Sequence, residues 1–458
     1  MENTSLIKIE TLVANHKKYF SSQQTKNVAF RIEQLKKLKS TILNFEKQIA
    51  EALYKDLRKS YEEAYLTEIS IVLSEIDYHI KNLNSWTKPQ SVSTPLHLLP
   101  SNSKIIFEPL GLALIISPWN YPFQLVINPL IGAISAGCCA IVKPSPYTPE
   151  VAKILDIIIK NTFDEEYISI AQGDREVNTH LLNQRVDVIF FTGSPALGKV
   201  VMTAAAKNLT PVILELGGKS PCIVDKDANI SIAAKRIIWG KTINAGQTCI
   251  APDYVFVHND VKEELIEKMK SAITEMYSKD VQQNNYYPRI VNNNAFKRLV
   301  SYLGNANVRI GGEVNEADKF IAPTVIDNVS FDDPIMQDEI FGPILPLITF
   351  TTIDEATDYI NANEKPLAFY YFGTDAKAQQ VLANTSSGGG CVNDTLMHIA
   401  NHNLPFGGVG NSGLGKYHGR GSFLAYSNQR AIISTPTWID MPFKYPPFKY
   451  FKLIKNFI

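Results

Sequence analysis

A cysteine that only fills a core usually sits inside an apolar run. Cys249 sits instead in AGQTCIAPDY (residues 245–254), a small polar loop ahead of an apolar strand. A thiolate there is open to approach and suits attack on a carbonyl carbon. Other reactive residue types stand at the ends of apolar runs. Glu215 lies in VILELGGKSP. A carboxylate flanked by leucines is costly to bury charged, so its pKa rises toward that of a general base. Asn120 lies in SPWNYPF, a proline-bracketed loop that would hold its amide toward a developing oxyanion. Lys143 ends the strand of AIVKPSPYTP, at the sheet edge where ligands bind, and would meet ribose hydroxyls or a phosphate. In FFTGSPALGKVV, Gly193 allows a tight turn and Gly198 a close helix–strand packing. The helix that follows would attract phosphate at its N-terminus, although the pattern is not G-x-G-x-x-G.

Taken singly, each has a plain structural reading. These are an inert packed thiol, a glutamate turned to solvent, an asparagine turn, a surface lysine and a glycine-dependent strand-to-helix turn. Their succession at strand ends is what turns the weight toward chemistry.

The elements that must position them follow from periodicity. Residues 4–86 repeat apolar positions at helical spacing, as in TILNFEKQIAEALYKDL. Residues 87–101 carry three prolines and read as an extended connection. Strands and helices then alternate to PVILELG, the pattern of a doubly wound parallel sheet. A second alternation runs from about 217 to 423, which implies two α/β blocks with a cleft between them. The uncharged stretch 109–142 is long enough for a membrane helix, but Pro118, Pro122 and Pro129 interrupt it. It reads as strand 111–116, loop 117–122, helix 125–137 and strand 139–143 in a buried core.

The 458 residues are 45% apolar and 20% charged with zero formal net charge. That composition builds a globular protein of two to four domains, with no global field for nucleic acid or anionic lipid. Five cysteines at irregular spacing argue against a disulfide framework and for a reducing cytoplasm. No secretory signal is visible at the N-terminus, and no Cys/His cluster has zinc-ligand spacing.

PWNYPF, GSPALGKVVMTAAAKNLTPVILELGGKSPC, WGKTINAGQTCIAPDY, MQDEIFGPILP, SSGGGCVND and LPFGGVGNSGLGKYHG occur in that order. Through them, from about residue 25 to 447, the chain resembles the aldehyde dehydrogenases. It is most similar to the class 3 subgroup of fatty and aromatic aldehyde enzymes. The resemblance implies an α/β fold with a Rossmann-type cofactor domain (1–82 and 102–215) and an α/β catalytic domain (216–423). It adds a small bridging sheet (83–101 and 424–436) and a C-terminal tail (437–458). It implies NAD or NADP as cofactor, an aliphatic or aromatic aldehyde as substrate and a homodimer as assembly. It makes Cys249 the nucleophile, Asn120 the oxyanion donor and Glu215 the deacylating base. It places Lys143 on the adenosine ribose, Gly193 and Ser194 at the pyrophosphate with Gly198 behind them, and Glu339 with Phe341 at the nicotinamide ribose. It places Tyr65, Tyr121 and Trp239 along the aldehyde channel, although plain core packing explains those three equally well. No metal is implied.

One departure bears on the cofactor. Relatives often read K-P-S-E where this chain has Lys143-Pro144-Ser145-Pro146. The missing carboxylate removes a ribose hydrogen bond and a charge that would repel a 2′-phosphate, so NADP should be tolerated beside NAD. In the tail, Lys449, Lys452 and Lys455 recur among Phe451, Leu453, Ile454, Phe457 and Ile458. The reading preferred is a tail packed on the protein's own surface or a partner subunit; the alternative is weak peripheral membrane contact. Three other activities fit the sequence less well. A cofactor-independent thiol esterase or amidase leaves the EIFGP and glycine motifs unused. An acylating enzyme generally lacks the base at Glu215. A silent scaffold would have lost Cys249 or Glu215.

Overall fold

The computed structural model describes residues 3–441 and 444–455. Two parallel-rich sheets carry the architecture. In the first, six strands lie in the order Gly413–Leu414, Val212–Leu216, Val188–Gly193, Leu112–Ile116, Cys139–Lys143 and Ile168–Ile170. All neighbours are parallel except the first pair. The chain winds outward from Leu112–Ile116 in one direction, then returns to its other side. Loops that leave the C-terminal ends of Leu112–Ile116 and Val188–Gly193 therefore diverge, and a crevice opens between them.

The uncharged stretch is this sheet's centre. The strands Leu112–Ile116 and Cys139–Lys143 are buried throughout. So is the whole helix Gln124–Ala136 between them, which packs among the helices Val28–Asn44, Ser70–Trp86 and Arg420–Ala425. A helix apolar on all faces needs neighbours on all faces. Gly137, left-handed at φ 95°, ends it. Among the described residues no helix is long and apolar enough to cross a membrane.

The second sheet has seven strands in the order Asn307–Ile310, Thr324–Asp327, Ile344–Phe350, Tyr254–His258, Pro221–Val224, Ala368–Phe372 and Gly389–Val392. Only its first pair is antiparallel. A third, antiparallel sheet joins Gln90–Val92, Asn102–Pro109 and Ser427–Ser434.

Two expected boundaries move. Residues 102–109 lie in the small antiparallel sheet and not in the Rossmann-type sheet, because Asn102–Pro109 pairs in full register with Ser427–Ser434. Gly413–Leu414 leaves the 216–423 block and adds an antiparallel edge strand to Val212–Leu216, with Gly413 opposite Glu215. In the tail, Trp438, Tyr445, Phe448, Tyr450 and Phe451 are exposed on the single chain, and a short helix spans Phe451–Ile454. Phe457 and Ile458 lie outside the described residues.

Candidate active site

Cys249 follows a turn that costs energy to hold. Asn244 and Ala245 are left-handed at φ 51° and 52°, and Gly246 follows at 73°. Only the glycine adopts this freely. The turn is held by a closed set of hydrogen bonds. Asn244 N–H donates to Glu63 Oε1 (2.8 Å), and Asn244 Nδ2 donates to the Gln247 carbonyl (3.0 Å). Gln247 Nε2 donates to the carbonyls of Asn244 and Arg289, both at 3.0 Å, and its Oε1 accepts the Val291 N–H at 2.9 Å. Cys249 emerges half-buried. Burial, then Glu339 and Glu215, push its thiol well up, while the N–H groups of Cys249 and Ile250 favour the thiolate.

Glu215 is buried in Val212–Leu216, and neither carboxylate oxygen has a hydrogen-bond partner among the described residues. Burial raises its pKa well above the usual range, and Lys416 opposes this. Asn120 is buried beyond the C-terminal end of Leu112–Ile116. Its Nδ2 donates to the Gln247 carbonyl at 3.0 Å, and its own carbonyl accepts Asn244 Nδ2 at 2.8 Å.

Cys249 and Glu215 share a cavity of about 720 Å³ with Tyr121 and Trp239. Tyr121 exchanges a hydrogen bond with Thr248 Oγ1 at 2.7 Å. Tyr65 does not join them. It falls in a π-turn, Tyr65–Ile69, and its ring stacks on Tyr61 with centroids 6.3 Å apart. Leu66 and Thr67 line the cavity instead. The outer wall is apolar, with Ile71, Ile243, Leu396, Met397 and Ile399. Sequence reasoning missed these residues, because scattered apolar side chains carry no local signal of a shared wall.

The residues expected at the cofactor line one edge. Lys143, Gly193 and Leu216 end three strands of the first sheet on the same side. Lys143 is buried, and burial brings its pKa down to about 8, against an opposing effect of Asp174. Ser194 caps the helix Pro195–Ala206, and Gly198 lets that helix approach, since a Cβ there would lie 2.7 Å from Leu216 Cδ2. Beyond Leu216, a Cβ on Gly217 would collide with the Glu339 carboxylate. Burial, then Asp253, raises Glu339 to about 8. Phe341 is left-handed at φ 50° and meets Trp119 edge-on at 5.3 Å. An ammonium, a helix N-terminus and a carboxyl in line along a sheet edge fit an extended dinucleotide. Among the described residues no cluster of His, Cys, Asp or Glu could hold a metal ion.

The family model of the aldehyde dehydrogenase family matches residues 2–432. The chain belongs to the aldehyde dehydrogenase family. It is 49% identical to the 4,4'-diaponeurosporen-aldehyde dehydrogenase of Staphylococcus aureus, over 98% of this chain and 99% of that protein. It is 42% identical to the canine dimeric NADP-preferring aldehyde dehydrogenase, over 96% and 98%. A solved structure, the substrate-bound state of Staphylococcus aureus AldH, superposes with TM-score 0.96 at 48% identity over 98% of this chain and 99% of that one. The aldehyde dehydrogenase is thus an oxidoreductase acting on aldehydes, in a family that uses NAD(P).

Proposed function

We propose that this aldehyde dehydrogenase oxidises an extended apolar aldehyde to its carboxylic acid through a thioester on Cys249. The observation that carries this is the cavity joining Cys249 and Glu215 to an apolar wall.

Cys249 Sγ adds to the aldehyde carbon and forms a thiohemiacetal. Asn120 Nδ2 carries two hydrogens, of which the Gln247 carbonyl takes one. The other, with the Cys249 N–H, holds the oxyanion. Lys143, Ser194 and Glu339 would hold the dinucleotide, which when bound would supply the hydride acceptor. The thiohemiacetal carbon gives up its hydride there and is left as a thioester on Cys249. Glu215 then takes a proton from water, which attacks the thioester carbon and frees the acid and the Cys249 thiol. Burial of Glu215 makes it a stronger base once ionised.

Pro146 stands where relatives often carry a glutamate that binds the adenosine ribose, and the loss of that carboxylate favours NADP serving beside NAD. The canine relative is named as dimeric and NADP-preferring. We extend both properties to this chain, as NADP acceptance and a homodimer.

The test is reduced-nicotinamide absorbance with NAD or NADP and alkanals of rising length. Catalytic efficiency should rise with chain length, and the aldehyde of the Staphylococcus aureus relative belongs in the panel. Cys249→Ser should give no reduction. Glu215→Gln should give one turnover and then stop. Activity that survives loss of Cys249, or that favours the shortest alkanals, would overturn the reading. A large excess of NAD over NADP in kcat/KM would overturn the cofactor part alone, and a monomer in sedimentation the assembly part.

A further inference from the structure

An ion pair outside the site aims its contacts at the loop that carries Asn120. Lys59 and Glu68 are both fully buried, with Nζ donating to Oε1 at 2.6 Å. Such a pair is poor at stabilising a fold, since apolar residues of like volume usually do as well or better. Its geometry suits another purpose. The loop 117–123 contains Pro118 and Pro122, which have no N–H to bind it together from within. Its far end opens the helix Gln124–Ala136, whose N-cap Phe123 supplies no side-chain cap.

Lys59 and Glu68 supply both needs from outside. Lys59 Nζ donates to the Asn120 carbonyl at 3.1 Å and sits 4.0 Å from the centre of the Tyr121 ring. Glu68 Oε2 accepts the N–H groups of Phe123 (2.9 Å) and Gln124 (3.2 Å). One charge thus holds the Asn120 carbonyl, and the other holds the backbone three and four residues on. Glu68 reaches inward from the π-turn Tyr65–Ile69, a local widening that often marks functional segments. Glu63, in the helical turn Tyr61–Ala64 just before it, holds the Asn244 N–H that begins the Cys249 turn.

We propose that the Lys59–Glu68 pair is a positioning element for oxidation: it fixes the Asn120 amide where the oxyanion forms. The inference rests on the reading of Asn120 as oxyanion donor. Neither residue touches the reacting atoms; the pair acts through Asn120.

The test measures the pre-steady-state burst of reduced cofactor in Lys59→Met, Asn120→Ala and the double variant. A misplaced donor should slow the burst about 100-fold in Lys59→Met. The Kd for NAD should stay unchanged. In the Asn120→Ala background, Lys59→Met should add no more than about twofold, the usual error of additivity. Glu68→Asp keeps both charges and so protects folding, but it is one methylene short of reaching Lys59 and both N–H groups together. It should also slow the burst, by less. If Asn120→Ala alone leaves the burst intact, the reading of Asn120 fails. If Asn120→Ala slows the burst while folded Lys59→Met and Glu68→Asp do not, or if their effects multiply with it in full, the pair only supports the fold and the inference is overturned. Should Lys59→Met not fold, Glu68→Asp in both backgrounds decides in the same way.

Discussion

Asn120 Nδ2 donates to the Gln247 carbonyl, two residues ahead of Cys249, at 3.0 Å. The bond ties the amide to the backbone that carries the nucleophile, so donor and thiol move as one. Asn120→Ala should therefore cost two things: an oxyanion donor and a brace of the Cys249 turn. The burst rate should fall by about 100- to 1,000-fold, as for other oxyanion donors. Asn120→Asp should restore neither, because a carboxylate has no N–H and repels both the carbonyl and the oxyanion. Rapid-mixing absorbance of the reduced cofactor checks both variants; a burst within a fewfold of the parent would rule the role out.

Glu339 and Glu215 both oppose ionisation of the Cys249 thiol, after burial itself. Removing a negative charge lowers a thiol's pKa. Glu339→Gln should thus move the pH dependence of iodoacetamide alkylation at Cys249 to lower pH. Glu339 itself is pushed up to about 8, so the gap between the two proteins should open above that pH. Above about pH 8, where Glu339 is ionised, the same change should weaken dinucleotide binding by about tenfold or more, the worth of a hydrogen bond to a charged group. Calorimetric titration with NAD checks the second effect independently of the first.

Glu215, Lys143 and Gly193 were legible because they stand at or beside the ends of apolar runs, and parallel strands deliver run ends to one edge. Cys249 was legible for a different reason, its small polar loop ahead of an apolar strand. Pairing partners were not legible. The strand Asn102–Pro109 alternates between exposed and half-buried over its first four residues and is half-buried to its end, and nothing local shows that Ser427–Ser434 completes it. The π-turn was equally hidden. One extra residue in a turn rotates all that follows by about 100° relative to an ideal helix. That rotation accompanies Tyr65 stacking on Tyr61, Leu66 lining the cavity and Glu68 lying against Lys59. Helical periodicity through 61–70 cannot foresee it.

Glu75 makes a stability prediction with a definite sign. Burial pushes its carboxyl up, but hydrogen bonds from His402 and His79 outweigh this and hold it well below its usual value. Its Oε2 meets His402 Nδ1 at 2.6 Å, and its Oε1 accepts from His79 Nε2 (3.1 Å) and the Gly419 N–H (2.7 Å). A carboxyl depressed on folding contributes stability above its unfolded pKa, about 4.3, and loses it as pH falls through the folded value. Glu75→Gln should cost about 3 kcal/mol near neutrality, as when one partner of a buried pair is removed. The difference in Tm between the two proteins should narrow steadily below about pH 4. A difference independent of pH would show that packing, not charge, sets the effect.

Burial raises the Glu215 pKa and Lys416 opposes it, so the proposed base should respond to that cation. Lys416 Nζ donates to the carbonyls of Gly388 (3.1 Å) and Gly407, and its chain crowds the space that Glu215 Oε1 faces over Gly407. A Cβ on Gly407 would lie 2.8 Å from that oxygen and 3.0 Å from Lys416 Cδ, so both side chains need the glycine. The cation favours the ionised carboxylate, against a burial effect that raises the Glu215 pKa. Only the ionised form can take a proton from water, and its fraction grows with pH. Lys416→Met removes the cation, so the Glu215 pKa should rise and the rise of kcat with pH should move to more alkaline values. Thioester hydrolysis should be slower than in the parent near pH 7 and approach it in strong alkali, while the burst amplitude stays whole. Steady-state kcat and burst amplitude across the pH range separate these effects. An unshifted profile would mean that the Lys416 charge does not reach the base, and would leave burial alone to set its strength.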